Sequence, residues 1–426
     1  MSVAALVNRR RVLRLGGVAS AQAVVQGIGF FSGILLIHFM EQAQYGYLTL
    51  AMSMMGVASV LMDLGLATAV MAIGGRLGND ARALGQLVSD ANAIRVRLTW
   101  AAMFVVLPFC VVMLIRQQAP LEVVWTLAIL VCWLSLINVG NGVLVSVFRI
   151  LGLVGFQQKL DLSANVVKLA LLAAAASALL NAVVACLVSL LVAGAVHWVL
   201  RRSLRKHLVP ASPGAHPNAP ALWKQVSQQA PNSVYFLVSG QLTIWLVGFF
   251  GNADRLAEVG ALGRLSAVFA LLGSITATLV LPYFARRTST AEVRTGLLAV
   301  NGLFACLFVA LTAWALLWPA SMLWILGSKY AHLQREVVWM VASATLAAWS
   351  GTIYSIACAR SWVMPLSIGA TAGIAATVAA VLMVDVSTVV GCFQISTASG
   401  AAGVLVTVGY LTWRMGNESS LERVAP

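Results

Sequence analysis

About twelve apolar runs, each long enough to cross a bilayer, divide this chain from end to end and leave it few folds to adopt. A hydrocarbon core about 30 Å thick takes roughly 20 apolar residues in helical form. Such runs centre near Ile28, Val60, Val106, Ser135, Leu171, Leu190, Thr243, Leu272, Leu307, Thr345, Ile374 and Gly403. No water reaches the bilayer core, so a spanning segment closes its backbone hydrogen bonds on itself, as a helix. Hydrophobic residues make up 61% of the 426 and charged residues 9%, against about 25% charged in soluble domains; mean hydropathy is +0.92. The expected fold is all-α and polytopic.

The charges orient the helices. With a cytoplasmic amino terminus, 22 of the 27 Lys and Arg fall on the inner side, including Arg9, Arg10, Arg11 and Arg14 and the group Arg201, Arg202, Arg205 and Lys206. Only Arg116, Arg255, Arg264, Lys329 and Arg335 fall outside. By the positive-inside rule both termini lie in the cytoplasm. The net charge of +14 is then a topology signal and not the footprint of a nucleic-acid binder. The first run, from about Gly16 to Met40, is too long for a signal-peptide core and is expected to stay as a helix. Trp100, Trp125, Trp198, Trp318, Trp339 and Trp413 fall near segment ends, where amphipathic rings favour the headgroup zone. All six cysteines lie within apolar runs without paired short spacing, so neither a disulfide framework nor a metal site is expected.

The longest polar stretch, residues 201–232, carries Pro210, Pro213, Pro217, Pro220 and Pro231. It is expected to link two six-helix bundles, residues 1–200 and 233–413, with a cytoplasmic tail at 414–426. Six is even, so both halves begin on the same side and form parallel repeats. A weak echo between Tyr45-Gly46-Tyr47-Leu48 and Val259-Gly260-Ala261-Leu262 agrees with that plan.

Polar residues at bilayer depth are the candidate functional groups, because an intramembrane charge costs at least ~2.5 kcal/mol and calls for a partner, a wet cavity or a function. Asp63 is the one carboxylate plainly inside an apolar run. It is open to two readings: a protonatable group coupling transport to an ion gradient, or a cap on a local break before Gly65. Arg264 either snorkels outward or meets an anionic substrate with its bidentate fork. Lys168 and Asp161 are seven apart on one helix face, with Asn165 between them, and either line an inner vestibule or form a solvated end. Arg149 and Arg76 close the fourth and second runs, as headgroup contacts or as topology charges. Gln22 and Gln26 share a face of the first run. With Asn138, Asn141 and Gln241 they fit either a hydrated cavity or interhelical hydrogen bonding. His38 and His197 are isolated and read as interfacial.

No phosphate-cradling loop, nucleophile elbow or metal-spaced cluster appears, so an enzyme with its own catalytic site or cofactor is not expected. The order of features does resemble a known family. The basic amino-terminal arm, Tyr45-Gly46-Tyr47, Met62-Asp63-Leu64-Gly65-Leu66, Phe148-Arg149-Ile150-Leu151-Gly152, Glu258-Val259-Gly260-Ala261-Leu262 and Leu281-Pro282-Tyr283-Phe284-Ala285-Arg286 resemble the polysaccharide flippase branch of the multidrug/oligosaccharidyl-lipid/polysaccharide exporter superfamily, over roughly residues 10–412. The resemblance implies a V-shaped pair of six-helix bundles around a central cavity in the bacterial inner membrane. It also implies a flippase that moves polyprenyl-pyrophosphate-linked oligosaccharides to the periplasmic leaflet by alternating access, for O-antigen or exopolysaccharide synthesis, beside a glycan polymerase. Arg264 would then contact pyrophosphate. The chain departs from the family in its seventh run, Gln241-Leu242-Thr243-Ile244-Trp245, which lacks the acidic residue that members often carry there. The rival readings are a drug or small-cation exporter of the same superfamily, a membrane glycan polymerase, and a non-transporting scaffold of a polysaccharide assembly complex.

Overall fold

The computed structural model describes residues 24–77, 80–176, 180–209, 216–266, 269, 273, 276, 280–286, 290–360, 362 and 364–422. The basic arm, Gln22 and the expected centre at Leu272 lie outside these residues. The described chain is helical throughout. Its helices are α1 (Val24–Phe39), α2 (Gln42–Asp63), α3 (Leu66–Leu77), α4 (Ala81–Arg116), α5 (Leu121–Ile150), α6 (Val154–Ala175), α7 (Ala182–Leu204), α8 (Ala219–Phe250), α9 (Ala253–Ser266), α10 (Leu281–Arg286), α11 (Thr290–Leu317), α12 (Pro319–Leu323), α13 (Gln334–Ala359), α14 (Leu366–Met383) and α15 (Val389–Glu422). Among the described residues, eight helical stretches are long and apolar enough to span a membrane, with α2 and α3 forming one of them. Two shorter apolar helices are α1 and the segment Ile368–Met383 of α14. The outward faces carry large apolar side chains such as Phe104, Leu382 and Leu405, as helices solvated by lipid require.

The described residues form two compact units, 24–257 and 258–422. In the first, α2, α4 and α5 pack on one another, α7 packs on α5 and α2, and α8 packs on α2, α3 and α4. One core cluster joins Leu66 and Val70 of α3 to Leu84 and Leu87 of α4, Val147 and Phe148 of α5, Leu200 of α7 and Leu222 of α8. The division by packing thus falls inside α9, at Ala257–Glu258, whereas the sequence division falls at residues 201–232. Residues 201–204 and 219–232 of the expected linker belong to α7 and α8, and two attachments hold the ends of the segment between those helices on the first unit. The Val209 amide donates to the Ala81 carbonyl (3.2 Å), and Asp90 receives the far end.

Asp90 is fully buried. Its carboxylate accepts hydrogen bonds from His216 Nδ1 (2.9 Å), from the backbone amide and Nδ2 of Asn218 (3.0 Å each) and from Gln86 Nε2 (3.0 Å). A helix of 36 residues is ~54 Å long, well beyond the ~30 Å of hydrocarbon. The polar first turns of α4, with Asp90 among them, therefore project beyond the apolar span and give the linker its anchor.

In the second unit, α13 packs on α15, α11 and α10, and α14 packs on α15. A core of Phe284, Val293, Leu297, Ile353, Ile356, Trp362 and Leu411 gathers one end of these helices. At that end Arg360 donates to the Phe284 carbonyl (3.3 Å) and lies over the Trp362 ring.

Glycine sets one close approach: a Cβ at Gly46 of α2 would run into the Ala253 carbonyl at the start of α9, while Gly27 of α1 faces open space. Gly46→Ala should therefore destabilise the protein by about 1–3 kcal/mol, whereas Gly27→Ala should be neutral or slightly stabilising; equal unfolding temperatures in detergent for the two variants would show that the approach is not tight. Asp90→Ala strands the donors of His216, Asn218 and Gln86 and should cost about 1.5–3 kcal/mol. Limited proteolysis should then cut the segment between α7 and α8 faster, with Asp90→Asn intermediate.

Candidate functional site: a polar pocket in the first unit

Four helices of the first unit enclose a cavity of about 260 Å³. Asn138 and Asn141 enter it from α5, Asp161 and Lys168 from α6, Ser189 and Ala193 from α7, and Met52 and Met55 from α2. The helical repeat explains the convergence: Asn138 and Asn141 are three apart, and Asp161 and Lys168 are seven apart, so each pair shares a face. Three groups singled out in the sequence, Lys168, Asn138 and Asn141, thus meet in one cavity with Asp161.

The polar atoms are ordered by their neighbours. Asn141 Oδ1 pairs with His197 Nδ1 (2.9 Å), and its Nδ2 donates to the Ala193 carbonyl (3.3 Å). Asn138 Nδ2 points at the Met55 sulfur (3.6 Å), a weak acceptor that leaves the amide able to exchange partners. Asp161 accepts from Gln157 Nε2 (3.3 Å), and Arg149 lies within electrostatic range of it. Beside the pocket the Arg95 guanidinium and the His197 ring both rest where a Cβ on Gly140 would stand. Arg95 donates through Nη2 to Asn92 Oδ1 (2.5 Å), and Arg201 is in electrostatic range of Arg95 and His197. Among the described residues, Lys168 and Asp161 share the lining, and Arg95, Arg149 and Arg201 add positive charge near it. Amide and cationic donors of this kind suit hydroxyls and phosphate oxygens.

Arg95 and His197 were hidden in the sequence, the first among the inner topology charges and the second as a solitary histidine. Their shared signal is Gly140, whose missing side chain makes room for both. That signal is legible only once α4, α5 and α7 are known to pack together.

The other sequence candidates lie elsewhere. Arg149 and Arg76 are exposed near the ends of α5 and α3. Gln26 sits half-buried on α1. Gln241 accepts from Ser53 Oγ (2.6 Å) and so ties α8 to α2. Arg264 stands in the last turn of α9, half-buried, in the second unit. That unit holds its own cavity of about 460 Å³, lined by Ser266, Thr276, Thr352 and Ser355 with Phe269 and Gly351, and free of charged side chains among its described residues.

Asp63 occupies a break between helices. Leu64 (φ 40°) and Gly65 (φ 86°) turn left-handed, and the carboxylate accepts the amides of Gly65 (3.1 Å) and Ala67 (3.0 Å) that begin α3. The Gln229 side chain of α8 fills the space beside Gly65. As a cap, Asp63→Asn should lower stability by only a few tenths of a kcal/mol and Asp63→Ala by about 0.5–2 kcal/mol, read as thermal unfolding in detergent; equal loss in both variants would mean that the negative charge itself is what the site requires.

No protein-family model matches the chain, and no curated protein matches it. Its fold does match solved structures. A lipid II flippase, MurJ, in an inward closed conformation superposes with a TM-score of 0.70 at 12% identity, over 93% of this chain and 87% of that one. A MATE transporter in complex with MaD3S gives 0.62 at 15% identity, over 97% and 96%. A MOP-superfamily transporter from Pyrococcus furiosus gives 0.55 at 14%, over 95% and 94%. The chain is thus similar in fold to lipid-flippase and MATE structures across almost its whole length, as an all-helical, multi-pass membrane protein of about twelve spans.

Proposed function

We propose that this protein is a flippase that carries a polyprenyl-pyrophosphate-linked oligosaccharide from the cytoplasmic to the periplasmic leaflet of a bacterial inner membrane, by alternating access between two bundles, for surface polysaccharide assembly. One observation carries the reading: Lys168, Asn138 and Asn141 share a polar cavity with Arg95, His197 and Arg201 close by. A sugar-pyrophosphate headgroup brings hydroxyls and negative charge, and crossing hydrocarbon unaided would leave both unsolvated. The amides match the hydroxyls, the cations match the pyrophosphate, and the polyprenyl chain stays in lipid. Both termini lie in the cytoplasm on this reading, which follows the distribution of Lys and Arg. A glycan polymerase would act on the delivered product. The basic residue assigned to pyrophosphate in the second unit is Arg264, and the ion-coupling group, where a gradient drives the cycle, is Asp63.

A drug or small-cation exporter is the second reading, favoured by the likeness to MATE folds. Such a site needs net negative charge, and among the described residues Asp161 is the one acid in this lining, which it shares with Lys168 and with Arg149 in range.

Deletion of the gene followed by a leaflet-resolved assay of lipid-linked sugars tests the proposal: glycan should accumulate in the inner leaflet. Lys168→Ala and Asn141→Ala, at normal membrane levels, should each slow translocation by about ten- to a hundredfold, the loss of a charge-assisted or buried hydrogen bond. Arg264→Ala should do the same if that residue holds pyrophosphate. Full surface polysaccharide in the deletion strain, or cation efflux that survives Lys168→Ala, would sink the flippase reading.

A further inference from the structure

A second kind of cavity lies on the flank of the second unit, far in chemistry from the polar pocket. Helices α11 and α15 both pack on α13 but touch each other little, and between them runs a groove of about 770 Å³. Small residues hollow it: Gly302 on α11 and Gly409 on α15 both line it, and neither has a heavy atom within 4 Å of where a Cβ would stand. Trp349 of α13 lines it and donates through Nε1 to Asn301 Oδ1 (2.9 Å), and the Thr412 hydroxyl donates to the Gly409 carbonyl (2.8 Å), so these polar side chains in the wall have partners within it. Leu298 and Leu405 on the walls are largely exposed.

The groove has one charged residue and one length. Arg294, near the start of α11, lines its end, and no acidic side chain lines it among the described residues. From Arg294 to Ala305, the lining on α11 spans eleven helical rises, ~16 Å, close to half of a ~30 Å hydrocarbon core. A cationic mouth and a dry trough one leaflet deep match an amphiphile with an anionic head and a tail of ordinary acyl length. They do not match a long polyprenyl chain, which would overrun the trough.

We propose that this groove is a binding site for one anionic glycerophospholipid of the leaflet at its Arg294 end, with its phosphate at Arg294 and an acyl chain laid against Gly302 and Gly409. The site is independent of the flippase reading, since it uses none of the residues assigned to the transported headgroup.

The test uses the full-length protein in nanodiscs of phosphatidylcholine doped with phosphatidylglycerol, with retained lipids counted by native mass spectrometry after release. Wild type should retain phosphatidylglycerol in preference to phosphatidylcholine. Arg294→Gln, a change at an exposed position, should cut that preference about fivefold, the worth of one basic residue near an anionic headgroup. Gly302→Leu and Gly409→Leu fill open space and should fold normally, yet they should lose retention of both lipids. Unchanged retention in Arg294→Gln and Gly302→Leu would mean annular lipid only. Preferential capture of an added polyprenyl phosphate over phosphatidylglycerol would overturn the assignment of the occupant. Either result would leave the translocation assay of the polar-pocket variants unaffected.

Discussion

Backbone hydrogen bonding in a medium without water is the constraint on which the rest of this structure depends. Each amide that leaves a helix inside hydrocarbon costs several kcal/mol unless another group receives it. The chain obeys this almost everywhere by running as long helices. One exception among the described residues is the turn between α2 and α3, where the backbone passes through two left-handed residues, Leu64 and Gly65. Asp63 makes that turn tenable by accepting two of the freed amides. A charge that looks anomalous in an apolar run is thus balanced by an equally anomalous backbone, and the α3 end, with Leu66 and Val70, can join the core with α4, α5, α7 and α8.

The same economy of partners governs the side chains. Ser and Thr hydroxyls along the spans mostly return to a carbonyl one turn back, as Ser135 does to Val131 and Thr345 to Val341. Ser53 and Gln241 instead satisfy each other across α2 and α8. Around the 260 Å³ cavity the rule relaxes. Asn138 has a sulfur for a partner, and Lys168, Asp161 and Asn141 come together without packing the space between them shut. A weakly held group such as the Asn138 amide is able to trade a protein partner for a ligand.

Much of the architecture was legible in the sequence because length and hydropathy are local properties: each described span lies where an apolar run of bilayer length predicted one. The spacing of Asp161 and Lys168 likewise foretold a shared face. Hidden were the contacts that join distant segments. Asp90 meets His216 and Asn218, more than 120 positions away. Gly46, Gly140 and Gly302 carry no side chain to announce a role, and only the neighbouring helices decide whether the missing Cβ admits a carbonyl, a guanidinium or a lipid. The Asp63 alternatives were both visible, but the amides it caps become evident only with the break.

The two units solve the polar problem in different ways. The first concentrates charge near one cavity, with Lys168 and Asp161 inside it and Arg95 against Gly140. The second offers hydroxyls in one cavity and a nearly apolar groove in another. Ser266, Thr276, Thr352 and Ser355 can donate and accept without carrying charge, so they can hold sugar hydroxyls while adding nothing to the hold on a pyrophosphate. On the proposed reading the first unit's cavity therefore suits negative charge together with hydroxyls, whereas this second cavity suits hydroxyls alone, and Arg264 is the second unit's basic candidate.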